Sequence, residues 1–168
     1  MDQGRLDIGQ FGTWYRDIEY ISIKPPIVGF NPTDPRDLDR YSVETMLGWV
    51  GLDVPDNVKQ YCQQSFPCTA DHWFSVQLMQ PATILPLHTD TYSRYSTENQ
   101  CTVDKIRRII VFLEDWQSGH ISEVDQNPIT NWRKGDWISW TGSTEHMAAN
   151  IGHRPRYTLQ ITTRITND

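Results

Sequence analysis

The feature that most limits the possible folds is a series of short alternating segments in the second half of the chain. Such segments occur at residues 74–78, 83–88, 107–113, 121–124 and 157–163, and residues 132–140 hold a turn followed by a strand. Turn signals separate them at Pro81, at residues 116–119, at Asn127-Pro128 and at Gly135-Asp136. Many short strands with regular turns favour an antiparallel jelly roll or barrel over alternating strands and helices.

The first seventy residues give different signals. Residues 19–23 predict a strand that ends at Pro25-Pro26, residues 31–35 predict a turn, and residues 37–48 and 56–64 predict helices. We therefore expect one domain over residues 1–168 with a mainly β fold, a jelly roll of the double-stranded β-helix type. Its core would span about residues 71–168, and a few N-terminal helices from about residues 1–70 would pack outside one sheet.

A candidate metal site begins with the triplet His88-Thr89-Asp90. Residues i and i+2 of a strand point to the same side, so a strand through this triplet would direct His88 and Asp90 into one cavity. His146, which follows an apolar and Trp-rich run, supplies a distant third ligand. Two imidazoles and one carboxylate form the 2-His-1-carboxylate set, which binds a metal on one face and leaves the other open.

A candidate anion site follows His146 in the chain. Arg156 stands ten residues further on and opens the alternating stretch that contains Thr158. On a strand, these two residues share a face. They would therefore offer a guanidinium fork and a hydroxyl group to a carboxylate.

Each element has an ordinary structural explanation when it is taken alone. His88 could be a surface histidine beside an aspartate in a loop, and His146 could cap a turn. Arg156 could pair with Glu145 or Asp136. The joint occurrence, in this order and spacing, favours a functional site. The remaining histidines lack such neighbours and are interpreted as structural or surface residues: His72, His120 and His153.

From about residue 83 to residue 163, roughly half of the chain, the pattern resembles the 2-oxoglutarate/Fe(II)-dependent oxygenases. Their motif is His-X-Asp, a distal His, and Arg-X-Ser/Thr on the following strand. The resemblance implies that His88, Asp90 and His146 bind Fe(II) as the catalytic metal. It also implies that Arg156 pairs with the distal carboxylate of 2-oxoglutarate and that Thr158 is its hydroxyl partner.

The resemblance further implies a dioxygenase that hydroxylates a peptide or protein side chain, or a small polar metabolite, and releases succinate and CO₂. Within the superfamily the chain looks similar to the prolyl-hydroxylase-like and aspartyl/asparaginyl β-hydroxylase-like branches, and its length resembles small microbial and phage enzymes. The second branch lacks the carboxylate ligand, whereas Asp90 is present here. The main alternative is a cupin-like metal-binding protein without oxygenase activity, such as an isomerase or a sensor. A binding protein with a decayed site is disfavoured because no ligand position is missing.

Two segments near the triplet admit two interpretations each. Residues 91–100 form a long polar stretch, which we interpret either as a substrate-contacting loop at the cavity rim or as a solvated surface loop. Arg107 and Arg108 alternate in facing; one can reach the cavity, but a solvated strand end is favoured.

Bulk properties exclude some classes. The net charge of −6 and the scattered basic pairs argue against a broad nucleic-acid interface. Cys62, Cys68 and Cys101 show no zinc or disulfide spacing, which predicts reduced thiols. The sequence shows no signal peptide or membrane-spanning run, so we expect a cytoplasmic protein that acts on a peptide or small-molecule substrate. The sequence leaves the oligomeric state open.

Overall fold

The computed structural model describes residues 1–23, 48–67 and 72–165. Most of this part of the chain is β-structure, arranged in two antiparallel sheets. The strands are β1 (Asp2–Arg5), β2 (Ile21–Ile23), β3 (Gly48–Gly51), β4 (Trp73–Met79), β5 (Thr83–His88), β6 (Ile106–Phe112), β7 (His120–Val124), β8 (Asn127–Ile129), β9 (Asp136–Thr141), β10 (His146–Asn150) and β11 (Arg156–Arg164). The α-helices are α1 (Asp56–Ser65) and α2 (Ser93–Glu98), and short 3-10 turns lie at Gly9–Phe11, Trp14–Arg16 and Val103–Lys105.

From β4 onward the chain passes back and forth between the two sheets. The larger sheet has the strand order β1-β9-β6-β11-β4-β3-β2, and the smaller sheet has the order β5-β10-β7-β8. Successive strands therefore lie in opposite sheets, with only the β7–β8 hairpin remaining in one. This topology is a double-stranded β-helix, or jelly roll, and it confirms the fold class predicted from the alternating segments.

Strand β11 shows how alternation divides the side chains between two layers. Arg156 faces the smaller sheet, where it contacts β7. Leu159 and Ile161 face the opposite way and pack with Val58 and Cys62 of α1. A second apolar cluster fills the space between the sheets, and its buried members are Ile110, Phe112, Val124, Trp132, Ile138 and Trp140.

The N-terminal residues contribute more β-structure than the sequence indicated. The prediction for residues 1–70 was of helices that support one sheet. It did not include β1, which pairs with β9, or β3, which pairs with β2 and β4. Strand β1 escapes sequence analysis because its four residues are all exposed and show no alternation. Strand β2 and helix α1 lie where a strand and a helix were predicted. The predicted turn at 31–35 and nearly all of the predicted helix at 37–48 lie outside the described residues.

Two local predictions in the second half are wrong. Asn127-Pro128, predicted as a turn, belongs to β8, and the turn of this hairpin lies at Asp125 and Gln126. Both of these residues have positive φ angles, of 50° and 60°, which suits a tight hairpin turn. The polar stretch at residues 91–100 is not a loop throughout, because α2 occupies its centre.

The described cysteines carry no disulfide. Cys62 is fully buried on the inner side of α1, and Cys101 is partly buried. Burial raises the pKa of the Cys62 thiol to about 12, so this thiol stays protonated and unreactive. Within the described ranges, neither helix has the length and apolar character needed to cross a membrane.

Candidate metal centre

Two histidines meet across the smaller sheet. Strand β10 pairs with β5 in a register that sets His146 directly opposite His88, with ring centroids 4.3 Å apart. The register shifts between His146 and Ala148, so an irregularity lies beside the site. The backbone ladder thus brings together two side chains that are 58 residues apart in the sequence.

Backbone carbonyls fix which nitrogen of each ring is available. The His88 Nδ1 lies 2.7 Å from the Pro86 carbonyl, and the His146 Nδ1 lies 3.0 Å from the Thr144 carbonyl. A carbonyl only accepts hydrogen bonds, so each Nδ1 carries the proton and donates it. Each neutral ring then presents the lone pair of Nε2, which is the form in which histidine binds a metal.

Asp90 completes the group, but from a different backbone position than predicted. Strand β5 ends at His88, so Asp90 lies beyond the strand and its placement does not follow from strand alternation. Its Oδ1 is 3.7 Å from His88 Nε2, and its Oδ2 is 3.8 Å from His146 Nε2. The three ligand atoms all lie within 4.8 Å of one another. Donors on one face of an octahedral ion are about 3 Å apart, so a small closure of the side chains would suffice to bind a metal.

The pKa values of these groups follow from burial and from the contacts within the site. Burial alone would raise the pKa of Asp90, but the neighbouring His88 imidazole and the charge of Arg108 outweigh it and lower that pKa strongly. Burial lowers the pKa of His146. Burial also opposes protonation of His88, but Asp90 and the Pro86 carbonyl raise its pKa overall. Asp90 is therefore a carboxylate, and the triad can hold a metal ion.

Arg108 is part of this site, whereas the sequence had favoured the interpretation that it lies at a solvated strand end. Its Nε and Nη2 donate to Asp90 Oδ2 at 3.2 and 2.8 Å. Its neighbour Arg107 points to the other face of β6 and pairs with Asp2 and Ser139. Side chains alternate between the two faces of β6, so Arg108 shares the inner face with Ile110 and Phe112. This alternation is the sequence signal from which the inward direction of Arg108 could have been predicted.

Arg156 is buried between the two sheets. Its Nη1 donates to the Ile121 carbonyl at 3.0 Å and its Nη2 donates to the Ser122 hydroxyl, whereas its Nε has no hydrogen-bond partner. The guanidinium carbon lies 5.7 Å from the Phe112 ring centroid and 5.2 Å from that of Trp132. The side chain is thus held in a fixed orientation by neutral groups.

No carboxylate among the described residues pairs with Arg156. The partners considered from the sequence do not serve, because Asp136 pairs with Arg5 and Glu145 is exposed. Burial lowers the pKa of Arg156 to about 10, so the group remains charged at neutral pH. A buried charge without a counter-charge is costly, and an anionic ligand would offset this cost. Arg156 is therefore the candidate residue for binding an anion.

The anion position and the metal triad face the same interior space. On β7, Ser122 and Val124 both point inward, and Val124 pairs with His146. Ser122, which Arg156 contacts, is two residues from Val124 along β7, a distance of about 7 Å. Arg156 therefore lies about 7 Å along this strand from the position of His146. Thr158, also buried, shares the inward face of β11 with Arg156.

A cleft of about 450 Å³ opens between α2 and the inner face of the larger sheet. It adjoins the metal triad, since Arg108, the partner of Asp90, forms part of its wall. Its lining includes the aromatic, hydroxyl-bearing and basic residues Trp73, Thr91, Tyr92, Ser93, Arg94 and Tyr95. No carboxylate occurs among the described residues that line it.

Comparison with known proteins supports the fold. The sequence matches no family model, and no curated protein matches it. An oxidoreductase of the 2OG-Fe(II) oxygenase family from Burkholderia pseudomallei has a similar structure, with a TM-score of 0.58, 11% identity and coverage of 96% of this chain and 80% of that one. A predicted oxalate decarboxylase from Thermotoga maritima aligns with a TM-score of 0.51, 10% identity and coverage of 89% of this chain and 96% of that one. A sugar phosphate isomerase from a cupin superfamily, from Silicibacter pomeroyi, gives a TM-score of 0.49, 11% identity and coverage of 90% and 74%.

At this level of identity the first two similarities show a shared double-stranded β-helix and nothing finer. The described activities differ among these proteins, which is expected because one scaffold hosts many reactions. Function must therefore be argued from the triad, from Arg156 and from the cleft.

Replacing a member of the triad is expected to weaken binding of a divalent metal. His146→Ala removes one of three donors, which should weaken Mn²⁺ binding by about tenfold or more in calorimetric titration. His153→Ala is the matched control, because His153 is exposed and lies outside the triad. If His146→Ala binds Mn²⁺ as the parent does, the triad is not the metal site.

Proposed function

We propose that the protein is an Fe(II)- and 2-oxoglutarate-dependent dioxygenase that hydroxylates a peptide or protein side chain or a small polar metabolite. The observation that carries this proposal is the buried guanidinium of Arg156, which has no carboxylate partner among the described residues and lies in the same interior space as the triad. The triad alone would suit many metal-dependent reactions. A triad combined with a nearby anion position suits a cosubstrate that binds metal at one end and carries a carboxylate at the other.

The donor set fits Fe(II), for which two histidines and one carboxylate leave open positions for other ligands. Bound iron and 2-oxoglutarate would supply the oxidation, in which O₂ adds one oxygen atom to the substrate C–H bond and one to succinate as CO₂ leaves. The chain's own residues would bind and orient these groups. His88, Asp90 and His146 would hold the metal, Arg156 would bind the distal carboxylate, and the Thr158 hydroxyl would assist it.

The rigidity of the Arg156 environment supports this role. The Ile121 carbonyl and the Ser122 hydroxyl hold two of its nitrogens, so the guanidinium plane is fixed before a ligand arrives. The aromatic rings of Phe112 and Trp132 keep water away from one side of the charge. A prearranged cation in a dry site binds a carboxylate at low entropic cost.

The alternative is a cupin-like metal-binding protein, such as an isomerase or a sensor. That function accounts for the triad but gives no reason for a buried guanidinium with no carboxylate partner among the described residues. The two functions are separated by one assay, which measures succinate formed from 2-oxoglutarate in the presence of Fe(II) and ascorbate. Metal binding without succinate, and without affinity for 2-oxoglutarate, would favour the alternative.

For the substrate, we propose that it enters through the cleft beside α2. Arg108, which pairs with Asp90, and Thr91, which follows Asp90, line this cleft, so a substrate bound there would lie beside the triad. Its hydroxyl and aromatic lining can hydrogen-bond to and pack against a polar chain. Tyr92 and Tyr95 are buried and form part of the cleft floor, whereas the Arg94 side chain is 82% exposed at its mouth.

Arg156→Lys is expected to weaken 2-oxoglutarate binding about tenfold to a hundredfold, the equivalent of losing about 1.5–3 kcal/mol from a charge-assisted contact. Lysine keeps the charge but loses the planar fork that the buried pocket positions. The measurement is an anaerobic calorimetric titration of the metal-loaded protein with 2-oxoglutarate. Arg107→Lys is the matched control, because Arg107 lies on the outer face of β6. An unchanged affinity in Arg156→Lys, with its fold intact, would remove the basis for the assignment.

Arg94→Ala is expected to raise the substrate KM about twofold to tenfold, because it removes an exposed polar contact at the mouth of the cleft. The Arg94 guanidinium carbon lies 5.1 Å from the Trp73 ring centroid, and Arg94 also pairs with Glu98. The substitution therefore also removes a contact that covers the Trp73 ring. Succinate release would be screened over peptides and polar metabolites, and KM measured for the substrate found. Lys59→Ala, which alters a similar exposed ion pair on α1, is the control. A parallel fall in succinate release without substrate would show that α2 supports the metal site instead.

A further inference from the structure

Arg108 is the charged side chain that holds the third member of the metal triad. Its side chain is only 15% exposed, and all three of its nitrogens donate hydrogen bonds. Nε and Nη2 both reach Asp90 Oδ2, and Nη1 reaches the Thr162 hydroxyl at 2.7 Å. The guanidinium carbon also lies 5.0 Å from the Tyr92 ring centroid. Three of the five N–H groups of this guanidinium are thus used in contacts within the chain.

Asp90 needs such a tether because the sheets do not place it. The backbone ladder between β5 and β10 fixes His88 and His146, but Asp90 lies two residues past the end of β5. The chain then turns through Tyr92, whose φ of 49° lies in the left-handed region. A carboxylate on such a segment is positioned by its side-chain contacts, and the shortest of these is with Arg108.

The two oxygens of the Asp90 carboxylate have different neighbours. Both donors of Arg108 go to Oδ2, whereas Oδ1 faces His88 Nε2. Oδ1 therefore keeps its lone pairs free for a metal ion. Thr162 holds the far end of the guanidinium, and it lies opposite Arg108 in the pairing of β11 with β6.

We propose that Arg108 is a positioning residue that fixes Asp90 to bind the metal through one oxygen, an inference that rests on the metal site of the proposed function. The effect of Arg108 on metal affinity has two parts of opposite sign. Its positive charge, close to the site, disfavours a second cation. Its hydrogen bonds hold the carboxylate in the ligating position, which favours that cation.

These two parts are separated by substituting Arg108 with residues of different charge. Arg108→Gln removes the charge, and Arg108→Lys keeps the charge but loses the two-nitrogen contact with Asp90. If position dominates, both variants bind Mn²⁺ about tenfold or more weakly. If charge dominates, Arg108→Gln binds Mn²⁺ more tightly than the parent and Arg108→Lys is unchanged.

Mn²⁺ affinity would be measured by calorimetry and the ligand geometry by the visible spectrum of the Co²⁺-loaded protein. We expect weaker Mn²⁺ binding and an altered Co²⁺ spectrum in both Arg108 variants. Arg107→Gln, one residue away and facing the other side of β6, is expected to match the parent in both readouts. Tighter or unchanged binding in the Arg108 variants would overturn the positioning role.

Two further variants complete the test. Thr162→Val removes only the Nη1 contact and is expected to weaken Mn²⁺ binding less than the Arg108 substitutions. If circular dichroism shows that the Arg108 variants do not fold, the Mn²⁺ affinity of Thr162→Val becomes the test of the proposal. An affinity equal to that of the parent would then overturn it. His146→Ala identifies failure of the metal site itself: parental Mn²⁺ binding there would refute the triad and with it the proposed function. A parent that binds no Mn²⁺ would refute both.

Discussion

The pairing of β10 with its two neighbours is the constraint on which the site depends. On one side it sets His146 opposite His88, and on the other it sets His146 opposite Val124 of β7. The first pairing creates half of the metal triad. The second places the triad one two-residue step from Ser122, which anchors Arg156. A change in the register of β10 would therefore separate the two histidines from each other and from the anion position.

Two arginines on the inner face of the larger sheet differ in whether a carboxylate of the described residues neutralises their charge. Arg108 is neutralised by Asp90, and the pair forms one side of the metal site. Arg156 is surrounded by a carbonyl, a hydroxyl and aromatic rings, and within the described residues it has no counter-charge. The contrast assigns different partners to them. Arg108 contacts a carboxylate within the chain, and Arg156 is the arginine for which we propose an anionic ligand.

Much of the fold could be predicted because alternation and turn residues are local signals. Strands β4, β5, β6, β7, β9 and β11 and the helix α1 follow from such patterns, whereas β8 and β10 were not predicted as strands. The exposed strand β1 and the helix α2 could not be predicted in this way, because β1 lacks alternation and α2 follows an unusual left-handed residue, Tyr92. The structure brings together the three residues of the predicted triad, but Asp90 reaches the others from a loop, and its partner Arg108 depends on a pairing between distant strands. Long-range contacts of this kind leave no mark in the local sequence.

We propose that the triad and Arg156 form the two ends of a single binding site for metal and 2-oxoglutarate. The most direct test is a crystal structure of the protein with Mn²⁺ and 2-oxoglutarate, grown without oxygen. The account predicts Mn²⁺ bound to His88, Asp90 and His146, with one end of 2-oxoglutarate on the metal and its other carboxylate on Arg156. Density for the metal at the triad with 2-oxoglutarate elsewhere, and with Arg156 still unpaired, would contradict it.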